Sequence, residues 1–265
     1  MLLLTALWGF QQVTIKLTAA DISLVMQSAL RSVIATLLLF AWARSRGMLP
    51  FERDGTFWPG VAAGLLFGLE FVFVYAGLGH TAASRMVVFI YLAPVFTALG
   101  LHFLVPNERL TRQQWAGVLT AFAGIALAFA GGFHAVKATA LGDLCGMIAA
   151  ALWAATTVLI RSTSLASISA TRTLFYQLVV SALMLPAASL LLGEPGVVSL
   201  TPLAIASLVY QGAVVAFASY LAWFWLLTRY LAARLAVFSF LTPLFGVVFG
   251  MLVLGESLSP SFVTA

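Results

Sequence analysis

Two ionisable residues stand deep inside apolar runs of this sequence. Arg31 lies nine residues into a run over 22–43, and Glu70 lies nine residues before the end of a run over 58–79. A buried guanidinium can hold an anion, and a buried carboxyl can hold a cation or exchange a proton. Charges so placed are costly and face a cavity or a partner. At 1.5 Å per residue both sit roughly 14 Å from the same surface if the runs are antiparallel helices. The expectation is that Arg31 and Glu70 pair or share a polar network beside a cavity, serving recognition or proton coupling. A static ion pair, which contributes little net stability, is the competing expectation.

Neutral polar groups cluster at comparable depth. Gln11, Gln12 and Thr14 lie in the run 1–16, and Trp153, Thr156 and Thr157 occupy the equivalent positions of the run 141–161. Amides and hydroxyls can hydrogen-bond a small polar ligand without the full cost of a buried charge. Tyr75, Tyr91, Trp153, Tyr176, Tyr210, Tyr220 and Trp223 could shape such a pocket, whereas Trp8, Trp42 and Trp58 are expected as interfacial anchors. Pro94 and Pro243 would each free a backbone carbonyl inside a helix and could act as hinges. Gly60, Gly64 and Gly68 form a four-residue stripe that reads as a packing seam, as do Gly142/Gly146 and Gly246/Gly250. The three scattered His residues and the single Cys145 offer no metal-ligand spacing and no disulfide framework, so no cofactor is expected.

The elements that must position these groups are membrane helices. Of 265 residues, 63% are hydrophobic and 8% are charged, against about 25% charged in a soluble domain. The net charge of +5 rests on 13 Lys and Arg, all but Arg31 assigned to short links between apolar runs, which argues against a nucleic-acid partner. Nine runs reach or approach the ~20 residues that cross a bilayer: 1–16, 22–43, 58–79, 82–105, 113–132, 141–161, 168–192, 201–227 and 231–254. The chain opens on a short span and stops after the GESLSP turn, where a tenth span would begin. Links after even-numbered spans hold Arg44, Arg46, Arg53, Arg109, Arg112, Arg161, Arg172, Arg229 and Arg234; links after odd-numbered spans hold Lys16, Arg85 and Lys137. The positive-inside rule therefore predicts a cytoplasmic N-terminus.

The chain also resembles itself. ALWGFQQVTIK (6–16) matches ALWAATTVLIR (151–161), and Pro94 with Arg85 matches Pro243 with Arg234. The NERL turn (107–110) matches GESL (255–258). Two five-span units are expected, 1–132 and 141–265. An odd number of spans per unit places the second upside down, and the loss of Lys and Arg from 193–200 and 255–265 agrees. Inverted repeats characterise secondary transporters.

ALWGFQQVTIK, the segment LAPVFTALGLHFLVPNERLTRQQWAGVLTAFAGIALAF (92–129) and TPLFGVVFGMLVLGESLS (242–259) together resemble the EamA-type drug/metabolite transporters. The resemblance spans essentially the whole chain. It implies an all-α integral membrane fold of ten helices in two inverted five-helix repeats, the tenth absent from this sequence, around a central cavity. It further implies export of amino acids or related metabolites by alternating access at a bacterial inner membrane, with a lipid bilayer and a small-molecule solute as partners. The pattern is compatible with a monomer. Nucleotide-sugar or other polar metabolite transport is the alternative. An integral-membrane enzyme finds no nucleophile–base pair or phosphate loop to support it.

Overall fold

The computed structural model describes residues 1–48, 54–104, 110–117, 137–229 and 241–258, with isolated positions at 119–120, 123–124, 127 and 238. The helices are α1 (Leu2–Leu17), α2 (Leu24–Ser45), α3 (Phe57–Leu78), α4 (Ala83–Ile90), α5 (Ala93–Leu104), α6 (Lys137–Ser162), α7 (Ala170–Leu191), α8 (Pro202–Val209), α9 (Tyr220–Arg229) and α10 (Leu241–Leu254). A π-helix, Tyr210–Ser219, joins α8 to α9 as one rod. Apart from the single bridge Ile22–Val197, the described residues contain no β-pairing. The outcome follows from the bilayer, where a backbone can satisfy its polar groups only within a helix or a closed barrel.

Six of these segments are long and apolar enough to cross a membrane: Leu24–Ser45, Phe57–Leu78, Ala83–Leu104, Thr139–Ser162, Ala170–Leu191 and Pro202–Trp223. Leu241–Leu254 is a shorter apolar helix. The bundle is apolar outside, with Leu191 88% and Leu252 77% exposed. Inside it is unusually polar, burying Gln27, Ser28, Arg31, Ser32, Asp143 and Gln211 completely. Such a surface suits lipid rather than water.

Local sequence explains the helix limits. After α2, Gly47 adopts φ 68° and its N–H bonds Arg44 O while Met48 N–H bonds Ala43 O. After α7, Gly193 (φ 69°) and Glu194 repeat the pattern onto Leu190 O and Ser189 O. Both are glycine-terminated Schellman caps. At the other ends, the Ser169 and Thr201 hydroxyls accept the N–H of Arg172 and Ala204. The expected unbroken span 82–105 is interrupted at Tyr91–Leu92, two residues before Pro94, because proline supplies no N–H to Ile90 O. Pro186 lies inside α7, a helix interior that the sequence reading passed over. Half of span 113–132, and nearly all of span 231–254 before α10, lies outside the described residues; residues 112–117 are helical.

Glycine seams set the closest approaches. Gly9 of α1 faces Gly246 of α10, where an added Cβ would stand 2.7 Å from Gly246 N. The Gly60/Gly64/Gly68 stripe lies against Tyr176, Val180 and Met184 of α7. Gly142, Gly146 and Gly246 likewise meet Thr81, Phe89 and Val87.

Two opposite faces close these helices. On one, Arg172 at the start of α7 donates to Asp54 at 2.8 Å, and Thr56 Oγ1 donates to the same carboxylate at 2.5 Å. On the other, Glu194 and Glu256 cap α2 and α4. Glu194 accepts from Val25 N (2.9 Å), Met26 N (3.1 Å) and Ser23 Oγ (3.0 Å). Glu256 accepts from Ala83 N (2.7 Å) and Ser84 N (3.0 Å). Carboxylates there satisfy orphan helix N–H groups and meet the positive end of the helix dipole.

Two tests follow from this packing. Gly64→Ala should lower stability in detergent by about 1–3 kcal/mol, the usual cost of overpacking, because its Cβ would meet Val180 Cβ at 2.5 Å and the Tyr176 carbonyl at 2.9 Å. Gly68→Ala should cost clearly less, since its nearest contact is the mobile Met184 methyl; thermal unfolding of both variants decides. The second test concerns Asp54, whose hydrogen bond from Thr56 and pairing with Arg172 hold its pKa down at about 2. A depressed carboxylate contributes stability present above its ordinary pKa and lost as pH falls through the folded value. Asp54→Asn should therefore flatten the acid limb of the stability profile between about pH 4 and 2.

Candidate functional site

The centre of the bundle is built on α3. Phe67, Phe71 and Tyr75 recur every four residues, so they stack along one face. Their ring centroids are 4.8 and 6.1 Å apart, both edge-to-face. Arg31 of α2 lies on this ladder, its guanidinium carbon 3.9 Å from the centre of the Phe71 ring and 5.8 Å from that of Tyr75. A cation over an aromatic face is attracted by the ring quadrupole, the more so when desolvated.

Arg31 is fully buried, and Nε, Nη1 and Nη2 have no hydrogen-bond partner. The direct pairing expected with Glu70 is thus not formed. Glu70 precedes Phe71 by one residue, about 100° around the helix. Arg31 and Glu70 still lie within electrostatic range of each other, and Tyr75, Tyr91 and Tyr220 share that neighbourhood.

A chain of hydrogen bonds leads away from this group. Gln11 Nε2 donates to Tyr75 Oη at 3.4 Å, and Tyr75 Oη donates to Gln211 Oε1 at 2.7 Å. Gln211 Nε2 donates to Gln27 Oε1 at 3.0 Å and to Ser207 Oγ at 2.9 Å. Gln27 in turn donates to the carbonyls of Ile15 and Ile22, at 3.1 and 2.9 Å. The chain ties α1, α2, α3 and the α8–π-helix rod together and runs toward the face that carries Glu194. On that face Lys16 Nζ donates to Thr81 O at 2.7 Å and lies 3.9 Å from Glu256. Asp143, also fully buried, accepts from Thr81 Oγ1 at 2.8 Å and pairs with Arg85. Asp21 accepts from Ser199 and Thr201 at 2.5 and 2.8 Å.

The remaining expected residues fall around this centre unequally. Gln12 is buried with its side-chain oxygen unpartnered. Tyr91 packs edge-on against Trp153 at 5.7 Å, which brings α6 to the group. Thr156 and Thr157 donate to Leu152 O and Trp153 O of their own helix, so only their lone pairs remain for a ligand. Trp223 packs edge-on against Trp8 at 5.7 Å, and Trp8 Nε1 donates to Ser219 Oγ at 2.9 Å. Trp8 is therefore an interior contact between α1 and the rod rather than an interfacial anchor. Tyr176 packs over Gly60 with its hydroxyl 3.3 Å from Thr56, and the Tyr210 hydroxyl is used by Leu7 O at 2.6 Å. Pro94 stands just beyond the α4–α5 break; Pro243 is the third residue of α10, and Ser239, whose carbonyl it would free, lies outside the described residues.

Sequence reading missed Gln27, Ser207, Gln211 and Asp143. A signal existed for the first three. Gln27 lies one turn before Arg31, and Ser207, Gln211 and Ser219 recur at multiples of four along one span. The π-helix had none, because its wider turn is set by packing against α2, where Gly212 meets Ile34.

An apolar-surfaced helical bundle with buried charge and amide at mid-length defines a multi-pass membrane transporter. The chain belongs to the EamA-like transporter family, whose pattern matches residues 1–130 and 140–265. It is 30% identical, over 98% of its length and 89% of the relative's, to an uncharacterised transporter of Archaeoglobus fulgidus. It is 24% identical, over 97% of its length and 87% of the relative's, to a Salmonella typhimurium protein named a probable amino-acid metabolite efflux pump. A crystal structure with 22% identity superposes over 98% of this chain and 88% of its own, with a TM-score of 0.68, which shows a shared fold.

The polar chain can be tested as a unit. Tyr75→Phe and Gln211→Leu should each destabilise the protein, and a double-mutant cycle should return a favourable coupling of about 0.6 kcal/mol, typical of interhelical hydrogen bonds in membranes. Strict additivity of the two losses would show that the bond contributes nothing.

Proposed function

We propose that this protein is a secondary transporter that exports amino acids or related small metabolites by alternating access between two inverted five-helix units, 1–132 and 141–265. The observation that carries this reading is the Arg31–Glu70–tyrosine group, placed mid-bundle and reached by Gln11 of the first unit and by Tyr220 of the second. The name borne by the Salmonella relative supports the solute class.

Pairing across the units supports the inversion. The loop after α2 sends Asp54 to the start of α7, and the loop after α7 sends Glu194 to the start of α2. α1 packs along α10, as α6 packs along α4 and α5. The basic loops support a cytoplasmic N-terminus at a bacterial inner membrane. The Lys16 face is then external, and in this structure it is the face drawn together by Glu194, Glu256, Asp143 and Asp21. Opening it would require those carboxylates to exchange helix N–H groups, hydroxyls and cations for water. Pro94 and Pro243 supply breaks where one part of a helix could move without the other.

Liposomes containing the purified protein and loaded with labelled amino acids should release them in a saturable manner, with the solute chemically unchanged. A changed product would indicate an enzyme, and flux confined to nucleotide sugars would indicate the other solute class. Replacing Pro94 and Pro243 together by Ala should slow release several-fold while shifting solute affinity less than twofold. Equal losses in both would make the prolines part of the binding site rather than hinges.

A further inference from the structure

The span that follows α7 changes its winding at mid-length. Pro202–Val209 is α-helical, Tyr210–Ser219 is π-helical, and Tyr220–Arg229 is α-helical again. A π turn, with its i→i+5 bonds, is rare and recurs at functional sites. The matching span of the first unit does not share it. At the register that sets Pro94 on Pro243, the rod lies over α3, which is α-helical from Phe57 to Leu78. The wide turn is therefore held by contacts particular to this span.

Those contacts come from two sides. On one stands α1, joined to α10 by the Gly9–Gly246 seam. The Tyr210 hydroxyl donates to Leu7 O at 2.6 Å, and its ring packs edge-on against Phe10 at 5.7 Å. At the far end of the π segment, Trp8 Nε1 donates to Ser219 Oγ at 2.9 Å. On the other side stand α2 and α3. Gln211 accepts from Tyr75 at 2.7 Å and donates to Gln27 at 3.0 Å, and an added Cβ on Gly212 would meet Ile34 at 2.8 Å. Two adjacent residues, Tyr210 and Gln211, are thus bonded to different parts of the bundle. If α1 and α10 move as one piece and α3 and α7 as another, the segment cannot keep both sets of bonds.

We propose that Tyr210–Ser219 is a conformational switch between these pieces, held wide while bonded to both and closing to α winding when α1 draws away. This rests on the transport reading above and adds the element that couples the moving pieces to the site. Tyr220 opens α9 within electrostatic range of Arg31, and Trp223 packs edge-on against Trp8 at 5.7 Å. Each residue drawn out of the wide turn rotates both by about 100°, so Tyr220 leaves Arg31 as Trp223 leaves Trp8.

The test uses the intact protein in nanodiscs with fluorinated tryptophan, the Trp8 and Trp223 signals being assigned by Trp→Phe variants. In the wild type, an amino acid that the protein releases from liposomes should change the two signals together. Without solute, Tyr210→Phe keeps the ring and removes one bond to α1. It should raise the released form about threefold, the effect of one interhelical hydrogen bond in a membrane. Deleting Val214, an exposed residue of the π segment, should leave the released form alone and slow release about tenfold or more, as expected when a required motion is lost. Trp8 and Trp223 signals unmoved by either solute or Tyr210→Phe, in protein that carries flux, would overturn the switch and leave transport standing. Absence of flux for every labelled amino acid would overturn the transport reading, and the switch with it. If the deletion fails to fold, Tyr210→Phe still decides.

Discussion

The structure depends on how it holds one positive charge in the middle of an apolar bundle. Arg31 is buried completely, and removing a charge from water is among the largest penalties a fold can carry. Part of that penalty is offset by the Phe67–Phe71–Tyr75 ladder, which lays a π face under the guanidinium. The Glu70 carboxyl and the Tyr75 and Tyr220 hydroxyls lie within electrostatic range of the same group. The hydrogen-bond chain from Tyr75 through Gln211 to Gln27 then fixes the tyrosine, and with it the position of the ladder.

Two kinds of contact hold the rest of the bundle, and they differ in how readily they can be undone. The glycine seams at Gly9–Gly246 and along Gly60, Gly64 and Gly68 bring backbones too close for a Cβ. They behave as rigid joints, because packed surfaces are not continuously deformable. The contacts of Glu194, Glu256, Asp21 and Lys16 lie instead at helix ends, where water can replace each partner. In the proposed cycle the helix pairs joined by these seams, α1 with α10 and α3 with α7, move as rigid pieces, and the charged helix ends make and break. The broken helix at Tyr91–Leu92 gives the movement a place to occur.

Much of this was legible in the sequence, and the rest was hidden for identifiable reasons. Run length and composition revealed the membrane helices, and the NERL and GESL turns revealed the family. Arg31 and Glu70 stood out because charge inside an apolar run has few innocent explanations. Matched depth suggested a pair or a shared polar network, and the Arg31 nitrogens make no hydrogen bond to Glu70. Trp8 misled because aromatic residues of a short first span resemble anchors, and only the fold brings Ser219 and Trp223 to it. Glu194 and Glu256 read as loop charges, since nothing local says that a carboxylate caps a helix 168 to 173 positions away. Asp143 was overlooked for the same reason, its partners Thr81 and Arg85 coming from another part of the chain.

The central claim is that the unmet guanidinium at mid-membrane is where the solute is held. A structure determined with a bound amino acid tests this most directly. Polar atoms of the solute should lie roughly 2.7–2.9 Å from the Arg31 nitrogens, the distance of a charge-assisted bond. A solute bound elsewhere, with Arg31 hydrogen-bonded to Glu70, would contradict it.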